Sequence, residues 1–87
     1  MEVKVSVPKD LEPLVDQIVG GDEVILPTVK GGGMVRKIVE YLRPLRDGWL
    51  IVGRDERNGK TILKAIGIKL VEKRKKRGWA EYLLSLC

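Results

Sequence analysis

The chain lacks several residue types on which catalysis and covalent cross-linking depend. Histidine and phenylalanine are absent from its 87 residues, and cysteine occurs once, as the last residue, Cys87. Histidine is the side chain most often used for proton transfer near neutral pH and the commonest metal ligand. A single cysteine excludes an intrachain disulfide and a zinc site built from several cysteines. We therefore expect a protein that is not an enzyme and that holds neither a metal nor a cofactor.

Long apolar runs are also missing. No segment approaches the length of a membrane span, and the N-terminus, in which charged residues alternate with valine, is unlike a signal peptide. We therefore expect no membrane partner. A length of 87 residues is enough for one domain, which we assign to residues 1–87. With so little cysteine, the sequence is typical of a protein of the cytoplasm, which is a reducing compartment.

Acidic residues are scarce where basic residues are concentrated. The chain has 17 Lys and Arg against 12 Asp and Glu, which is a net charge of +5. All basic residues except Lys4 and Lys9 fall between Lys30 and Arg77, a segment that holds five of the acidic residues. Stabilising networks of surface ion pairs need nearly balanced signs, so this one-sided excess indicates an anionic partner. The partner that we expect is a nucleic acid, either DNA or RNA.

The N-terminal pattern predicts a strand followed by a helix. Valine alternates with polar residues from Val3 to Val7, which is the period of a half-buried strand, and Pro8 ends it. Asp10 stands where an N-cap residue belongs. The helical stripe that follows consists of Leu11, Leu14, Val15, Ile18 and Val19, and Gly20 and Gly21 stop it.

The next segment combines a strand, a glycine loop and a helix. The apolar run Glu23–Val29 predicts a central strand covered by helices, with Pro27 marking a bulge or the end of its pairing. Lys30 and three glycines follow. A second helical stripe then runs from Met34 to Leu45.

The three glycines Gly31, Gly32 and Gly33 indicate an anion site. A connecting turn needs only one glycine, whereas three residues without Cβ atoms let a phosphate approach the backbone. The first N–H groups of the following helix have no intrahelical partners and favour a negative charge. The loop lacks the G-x-x-x-x-G-K-[ST] pattern of a P-loop, which argues against an enzyme acting on a phosphorylated metabolite. The alternative is a flexible turn that only joins the strand to the helix.

Four further elements are predicted in the second half of the chain. They are a strand at Trp49–Val52, a polar hairpin turn at Gly53–Gly59, a returning strand at Thr61–Val71 and a C-terminal amphipathic helix at residues 79–87. The helix is predicted from the spacing of Trp79, Tyr82, Leu83 and Leu86. The predicted fold is therefore an α/β (α+β) two-layer sandwich with the order β-α-β-α-β-β and an added C-terminal helix.

The basic residues and the loop glycines make up the predicted nucleic-acid-binding set. Five consecutive cations from Lys73 to Arg77 exceed what protection of a sheet edge requires, with a solvated strand end as the alternative. Contacts of this kind with the phosphate backbone position a protein without reading sequence. The complete set is Lys9, Lys30, Gly31, Gly32, Gly33, Arg36, Lys37, Arg54, Arg57, Lys60, Lys73, Arg74, Lys75, Lys76 and Arg77.

The predicted order, the glycine-containing turn from strand to helix, the charged hairpin tip and the basic end of the last strand resemble the Alba family of small archaeal chromatin and RNA-associated proteins. The resemblance covers Val3 to Arg77. It implies an Alba-like fold and DNA or RNA binding. In this resemblance, Lys37 occupies the position of the family's helix lysine, and Lys9 lies in the loop after the first strand. Arg54 and Arg57 are the candidates for the arginines of the family's extended hairpin.

Several features depart from the Alba pattern. Only Lys9 is basic in the first loop, and the segment Trp79–Leu86 has no counterpart in the family. Gly31 and Gly33 occupy positions at which the family carries arginines, and the hairpin is shorter. The same order also resembles the C-terminal domain of bacterial translation initiation factor three and the chloroplast RNA-splicing and ribosome-maturation domain. In the latter, a glycine-rich loop before a helix binds RNA, so the resemblances leave both DNA and RNA open.

The leading interpretation is a non-enzymatic nucleic-acid-binding protein with little sequence specificity. The alternative is a small assembly subunit whose predicted C-terminal helix contacts a partner protein. A homodimer is expected because so small a domain gains core and binding surface by pairing. Its surface is expected on the second helix near Tyr41 and Leu45, or on the C-terminal helix.

Overall fold

Alternating valines form the first strand, as predicted. In the computed structural model, which describes residues 1–87, β1 (Glu2–Pro8) buries Val5 and Val7 while Lys4 and Ser6 face solvent. The remaining elements are a 3₁₀ turn (Lys9–Leu11), α1 (Glu12–Val19), β2 (Val24–Pro27), α2 (Gly33–Tyr41), a second 3₁₀ turn (Arg43–Leu45), β3 (Leu50–Asp55), β4 (Lys60–Ala65), β5 (Ile68–Lys76) and β6 (Trp79–Leu86).

The six strands form two antiparallel three-stranded sheets, so the chain is an α+β domain with two sheets and two helices. Sheet A has the order β1-β6-β5, and sheet B has the order β2-β4-β3. Both sheets and both helices contribute to one core of 17 buried hydrophobic residues. Neither helix has the length and apolar character required to cross a membrane.

The C-terminal segment is a strand, and the predicted helix over residues 79–87 is wrong. β6 lies at the centre of sheet A, paired with β1 on one side and with β5 on the other. Its buried residues Ala80, Tyr82, Leu84 and Leu86 alternate with less buried ones. The predicted helical face does not include Ala80 and Leu84. With these two residues, every second side chain of the segment is apolar and buried, which is the period of a strand. Pairing on both sides also provides partners for the backbone N–H and C=O groups of the strand.

The segment predicted as one strand from Thr61 to Val71 forms two strands in different sheets. β4 ends before Ile66 and Gly67, and β5 begins after them. Gly67 has φ +67°, a left-handed conformation that favours glycine. A hydrogen bond of 2.9 Å from the Cys87 N–H to the Gly67 carbonyl holds this junction. The chain therefore passes from sheet B to sheet A at a position where the alternation of isoleucines suggests continuity.

β2 lies at an edge of sheet B, so the prediction of a central strand is wrong at this position. β4, which returns from the hairpin, takes the central place. Pairing between β2 and β4 ends at Pro27, as predicted, because proline has no N–H to donate.

Both helices are shorter than their apolar stripes. α1 begins at Glu12, so Asp10 lies in the preceding 3₁₀ turn and makes no capping hydrogen bond. α2 ends at Tyr41, and Leu45 reaches the core from the second 3₁₀ turn. Pro44 within that turn cannot continue an α-helix, which explains the early end of α2.

Candidate nucleic-acid interface

The glycine loop joins β2 to α2 through three left-handed residues in a row. Gly31, Gly32 and Gly33 have φ values of +92°, +116° and +53°. Residues with a Cβ atom rarely adopt these values, so the turn itself uses all three glycines. The expectation that one glycine would serve the turn is therefore wrong, and the glycine run alone does not argue for a phosphate.

The glycine loop also makes room for the side chain of Arg36. A Cβ atom added to Gly32 would lie 2.5 Å from Arg36 Cδ. Arg36 Nη1 donates a hydrogen bond of 3.3 Å to the Gly31 carbonyl. The arginine therefore folds back across the loop, and its guanidinium is held beside the first turn of α2.

The first turn of α2 presents unbonded backbone donors. The Gly32 N–H donates to the Val29 carbonyl at 2.9 Å, and the Arg36 N–H donates to the Gly32 carbonyl at 3.2 Å. The N–H groups of the residues between them, 33–35, make no backbone hydrogen bond. They form the positive end of the helix dipole.

A cleft of about 590 Å³ lies between the glycine loop, α2 and one face of sheet B. Four cationic side chains line it: Lys30 from the loop, Arg36 from α2, Arg46 from the segment after the second 3₁₀ turn, and Arg54 from β3. No carboxylate lines this cleft. The structure therefore collects positive charge here without a compensating acid.

Strand pairing sets the sheet side of the cleft. Arg54 of β3 lies opposite Thr61 of β4, and the side chains of both line the cleft. The predicted hairpin between these strands is confirmed, but its turn is shorter than predicted, because residues 53–55 pair with β4 as part of β3. Its turn is closed by Asp55, whose carboxylate accepts hydrogen bonds from the Asn58 Nδ2 group at 2.8 Å and from the Asn58 N–H at 3.3 Å.

Two hydroxyl groups form the most enclosed polar part of the cleft. Thr61 is only 2% exposed, and its Oγ1 lies 2.6 Å from Thr28 Oγ1. The Thr28 N–H donates to the Gly59 carbonyl at 2.8 Å, which ties the segment before the glycine loop to the hairpin. Because one hydroxyl donates to the other, the hydrogen of the second hydroxyl stays available for a ligand.

Apolar side chains complete the lining of the cleft. They are Val29, Val35, Val39 and Val52. Val29 and Val52 are 52% and 46% exposed, although both belong to apolar segments. The cleft thus offers a ligand both apolar surface and cations.

Lys37 lies on the neighbouring face of α2. It lines an adjoining depression together with Gly33, Glu40 and Tyr41, and Arg36 borders both this depression and the cleft. Lys37 is therefore placed next to the cleft, but a carboxylate accompanies it.

The five consecutive cations from Lys73 to Arg77 do not form one patch. Side chains alternate along a strand, and Lys73 and Lys75 both contact α1. Lys73 Nζ lies 2.8 Å from Glu12 Oε1 and 2.9 Å from Asp16 Oδ1, and Lys75 Nζ lies 3.5 Å from Glu12 Oε1. These two lysines are already paired with acids of the same chain.

The other three cations of this run have different surroundings. Arg74 Nε lies 3.0 Å from Glu72 Oε1. Lys76 and Arg77 make no ion pair. The Lys9 N–H donates to the Gly78 carbonyl at 3.1 Å, which brings Lys9 to the turn between β5 and β6. Lys9, Lys76 and Arg77 form a second basic group that does not line the cleft.

Lys73 belongs to a network that joins α1 to sheet A. Partial burial alone would lower the pKa of Lys73, but its hydrogen bonds to Glu12 and Asp16 outweigh this effect and raise the pKa. The hydrogen bond from Lys73 holds the pKa of Glu12 below its usual value. Burial alone would raise the pKa of Asp16, yet hydrogen bonds from Lys73 and Tyr82 keep it low. Burial and the 2.7 Å hydrogen bond to Asp16 raise the pKa of Tyr82. The network gives Lys73 a structural role.

Arg57 and Lys60 lie at the exposed end of the hairpin and do not line the cleft. The hydrogen bond between Thr28 and Gly59 nevertheless places the hairpin turn beside the segment that leads into the glycine loop. The structure therefore brings the loop, α2 and the hairpin together, as a shared binding surface would require.

Sequence reasoning misses the four valines of the cleft and three of its polar residues, Thr28, Arg46 and Thr61. The local pattern does not separate Arg46 from Arg43, which does not line the cleft. Thr61 does carry a signal. It alternates with Leu63 and Ala65, so it is a polar residue on the buried face of its strand.

Comparison of the chain with protein-family models, curated proteins and solved structures finds no match.

Proposed function

We propose that this protein is a non-enzymatic nucleic-acid-binding protein that contacts phosphate groups with little sequence specificity. The observation that carries the proposal is the cleft lined by Lys30, Arg36, Arg46 and Arg54 without any carboxylate. Contacts between cations and phosphate oxygens provide most of the affinity in non-specific nucleic-acid binding.

A contrast within the chain supports this interpretation. Where a cation serves the fold, as Lys73 does, acids from another element compensate its charge at 2.8 and 2.9 Å. The four cations of the cleft have no such partners, so an external anion would find their charge uncompensated by any acid of the chain. Three of them are arginines, whose planar guanidinium groups suit bidentate contacts with phosphate.

The proposed contact set differs from the one expected from sequence alone. The proposed set includes Arg46. It no longer includes Lys73, Arg74 and Lys75, because each of these is paired with an acid. Lys37 and the hairpin residues adjoin the cleft and extend the surface. Lys9, Lys76 and Arg77 form the separate second group.

The assembly-subunit alternative loses its main basis. It depends on an exposed apolar helix at the C-terminus, and the residues concerned form a central strand whose buried face lies in the core.

A homodimer remains part of the proposal. Leu45 is fully buried, however, so it cannot contribute to the surface through which two copies pair. We place the dimer surface instead on the outer face of sheet B, where Ile25 and Ile51 are exposed.

Membership of an Alba-like family is also a proposal. In its support, the elements from β1 to β4 follow the expected order, and a glycine turn precedes α2. The strands β5 and β6 and the division into two sheets depart from the expected pattern. The proposed function rests on the cleft and not on this resemblance. A cytoplasmic or chromosome-associated location is proposed with it.

The test is a titration of duplex DNA, duplex RNA and single strands across a series of salt concentrations, followed by fluorescence anisotropy. We expect the logarithm of the affinity to fall linearly with the logarithm of salt, by about 0.9 per neutralised phosphate on duplex DNA and about 0.7 on single strands. Arg54→Gln is expected to weaken binding about tenfold, because a charge-assisted contact contributes about 1.5 kcal/mol or more.

Arg43→Gln is the matched control for Arg54→Gln. It removes the same charge from an exposed arginine that does not line the cleft, and binding is expected to stay within about twofold of the native affinity. Absence of binding at low salt, or equal losses in the two variants, would contradict the proposal. Circular dichroism of each variant verifies that the fold is retained.

A further inference from the structure

We propose that the cleft binds one terminal nucleotide of a strand, with its phosphate monoester held by the arginines and its sugar and base against the valines. This inference rests on the proposed function and adds the part of the nucleic acid that the site recognises. It follows from the size of the cleft, its charge, its hydroxyl pair and its apolar wall.

The size of the cleft suits a single nucleotide. Its volume of about 590 Å³ lies within the range of roughly 300–1,000 Å³ that is typical of small-molecule sites. A duplex cannot enter a cleft of this size. The hydrogen bond from the Thr28 N–H to the Gly59 carbonyl joins the loop segment to the hairpin beside the cleft. A strand end needs only one opening, whereas a continuous strand must both enter and leave.

The charge of the cleft favours a dianion. Lys30, Arg36, Arg46 and Arg54 bring four positive charges, and no carboxylate lines the site. A phosphate monoester carries a charge of about −1.5 to −2 at neutral pH, while a diester within a strand carries about −1. A terminal monoester also offers three oxygens as acceptors, which suits several arginines.

The hydroxyl pair supplies a neutral donor beside the cations. Thr28 and Thr61 share one hydrogen bond of 2.6 Å, so one hydroxyl hydrogen remains for a phosphate oxygen. Thr61 is nearly fully buried, so the strand that carries it holds the hydroxyl pair in place. A preorganised donor costs little conformational entropy when the ligand binds.

The apolar wall provides a place for the rest of the nucleotide. Val29 and Val52 keep about half of their surface exposed, and both line the cleft. If the cleft offered only its four cationic side chains, it would suit inorganic phosphate as well as a nucleotide. The valines add contact with a sugar and a base, without hydrogen-bonding groups that would select one base over another.

The test compares single-stranded oligonucleotides of one sequence that differ only at their ends. The probes carry a 5′-phosphate, a 3′-phosphate or hydroxyl groups at both ends, and a fourth probe is a closed circle without ends. We expect one phosphorylated end to bind at least about tenfold more tightly than the hydroxyl and circular probes. The difference is expected to shrink as the pH falls through about 6, because the monoester then takes up its second proton.

Variants of the cleft test whether the end preference arises there. Arg46→Gln and Arg54→Gln are expected to reduce the preference to less than about threefold, and the control Arg43→Gln is expected to retain it. A nucleoside monophosphate is added as a competitor, with the unphosphorylated nucleoside as its control. Competition by the monophosphate together with binding of the phosphorylated strand supports the inference.

The remaining outcomes separate this inference from the proposed function. Equal binding of all four strands, including the circle, would overturn terminal recognition and leave nucleic-acid binding intact. Displacement of a labelled nucleoside monophosphate without binding of any strand would overturn the nucleic-acid function, because the cleft would then be a site for free nucleotides. An end preference that survives in Arg46→Gln and Arg54→Gln would place recognition outside the cleft and overturn the inference.

Discussion

Lys73 and Arg54 illustrate how one kind of charge acquires two roles in this chain. The Lys73 ammonium lies between Glu12 and Asp16 and above the ring of Tyr82, with its Nζ 5.3 Å from the ring centre. Arg54 faces a cleft that contains no acid. The first cation stabilises the contact between α1 and sheet A, and the second is available to an anion.

We expect acid to weaken the fold through Glu12 and Asp16. Folding lowers the pKa of both carboxyl groups, so in acid the unfolded chain binds more protons than the folded chain. The stabilisation is complete above their ordinary pKa values of 4.5 and 3.8 and is lost as the pH falls through the lower folded values. Urea unfolding at a series of pH values from neutral to strongly acidic measures this decline.

Variants of the two carboxyl groups identify the source of the acid dependence. Glu12→Gln and Asp16→Asn together are expected to lower stability at neutral pH and to flatten its decline in acid. Asp22→Asn changes an exposed carboxyl group outside any ion pair and is the control. An unchanged acid dependence in the double variant would contradict the role of the network.

Among the elements, the junction at Gly67 has the largest consequence for the architecture. Gly67→Ala is expected to lower the free energy of unfolding by about 1–2 kcal/mol, because φ of +67° is unfavourable for a residue with a Cβ atom. The added Cβ would lie 3.5 Å from Trp49 Cδ1, an ordinary contact, so the cost arises from the backbone. Urea unfolding measures the change.

Gly53→Ala is the matched control for this substitution. Gly53 lies in β3 without a positive φ, and its added Cβ would meet Ile62 Cβ at 3.9 Å. We expect a change within about 0.5 kcal/mol, because alanine fits this conformation. Similar losses in the two variants would show that the conformation of Gly67 is not the cause.

The failed prediction of a C-terminal helix has a physical explanation. Four large apolar residues at helical spacing fit one face of a helix, but small Ala80 is buried as completely as Tyr82. The open edges of β1 and β5 provide hydrogen-bond partners on both sides of β6, and neither edge is visible in the segment itself. Local spacing therefore carries less weight here than the need to complete a sheet.

For the whole molecule, we expect two copies to pair through the outer faces of sheet B. Ile25 and Ile51 are 58% and 45% exposed on that face, and Ile62 pairs with Ile25 across the β2–β4 ladder. The side chains that line the cleft lie on the opposite face of the same sheet, so pairing leaves both clefts open. Ile25→Lys combined with Ile51→Lys is expected to produce a monomer, as measured by sedimentation equilibrium.

Ile66→Lys is the control for dimer formation. Ile66 is 47% exposed but lies in the junction between the sheets and not on the outer face of sheet B. We expect it to leave association unchanged, and the lysine variants on the sheet to retain nucleic-acid binding per chain. A native protein that stays monomeric at high concentration would refute pairing on this face.

Local pattern and composition were sufficient to specify part of this protein. The valine alternation of β1, the apolar stripe of α1, the hairpin between β3 and β4 and the excess of basic residues depend on near neighbours or on totals. The structure bears out the first three elements, because propensity and burial favour the same conformation in each. The glycine loop also lies where the sequence places it, immediately before α2.

Only the tertiary structure decided which cations lie together. Strand alternation and the acids of α1 remove Lys73 and Lys75 from the basic run, while the return of the chain after Pro44 brings Arg46 to a cleft shared with Arg54. These relationships join residues far apart in the chain, and no local period encodes them. The free energy of a charge depends on what surrounds it in space, so basic side chains of one sequence form structural ion pairs in one place and line a cleft without acids in another.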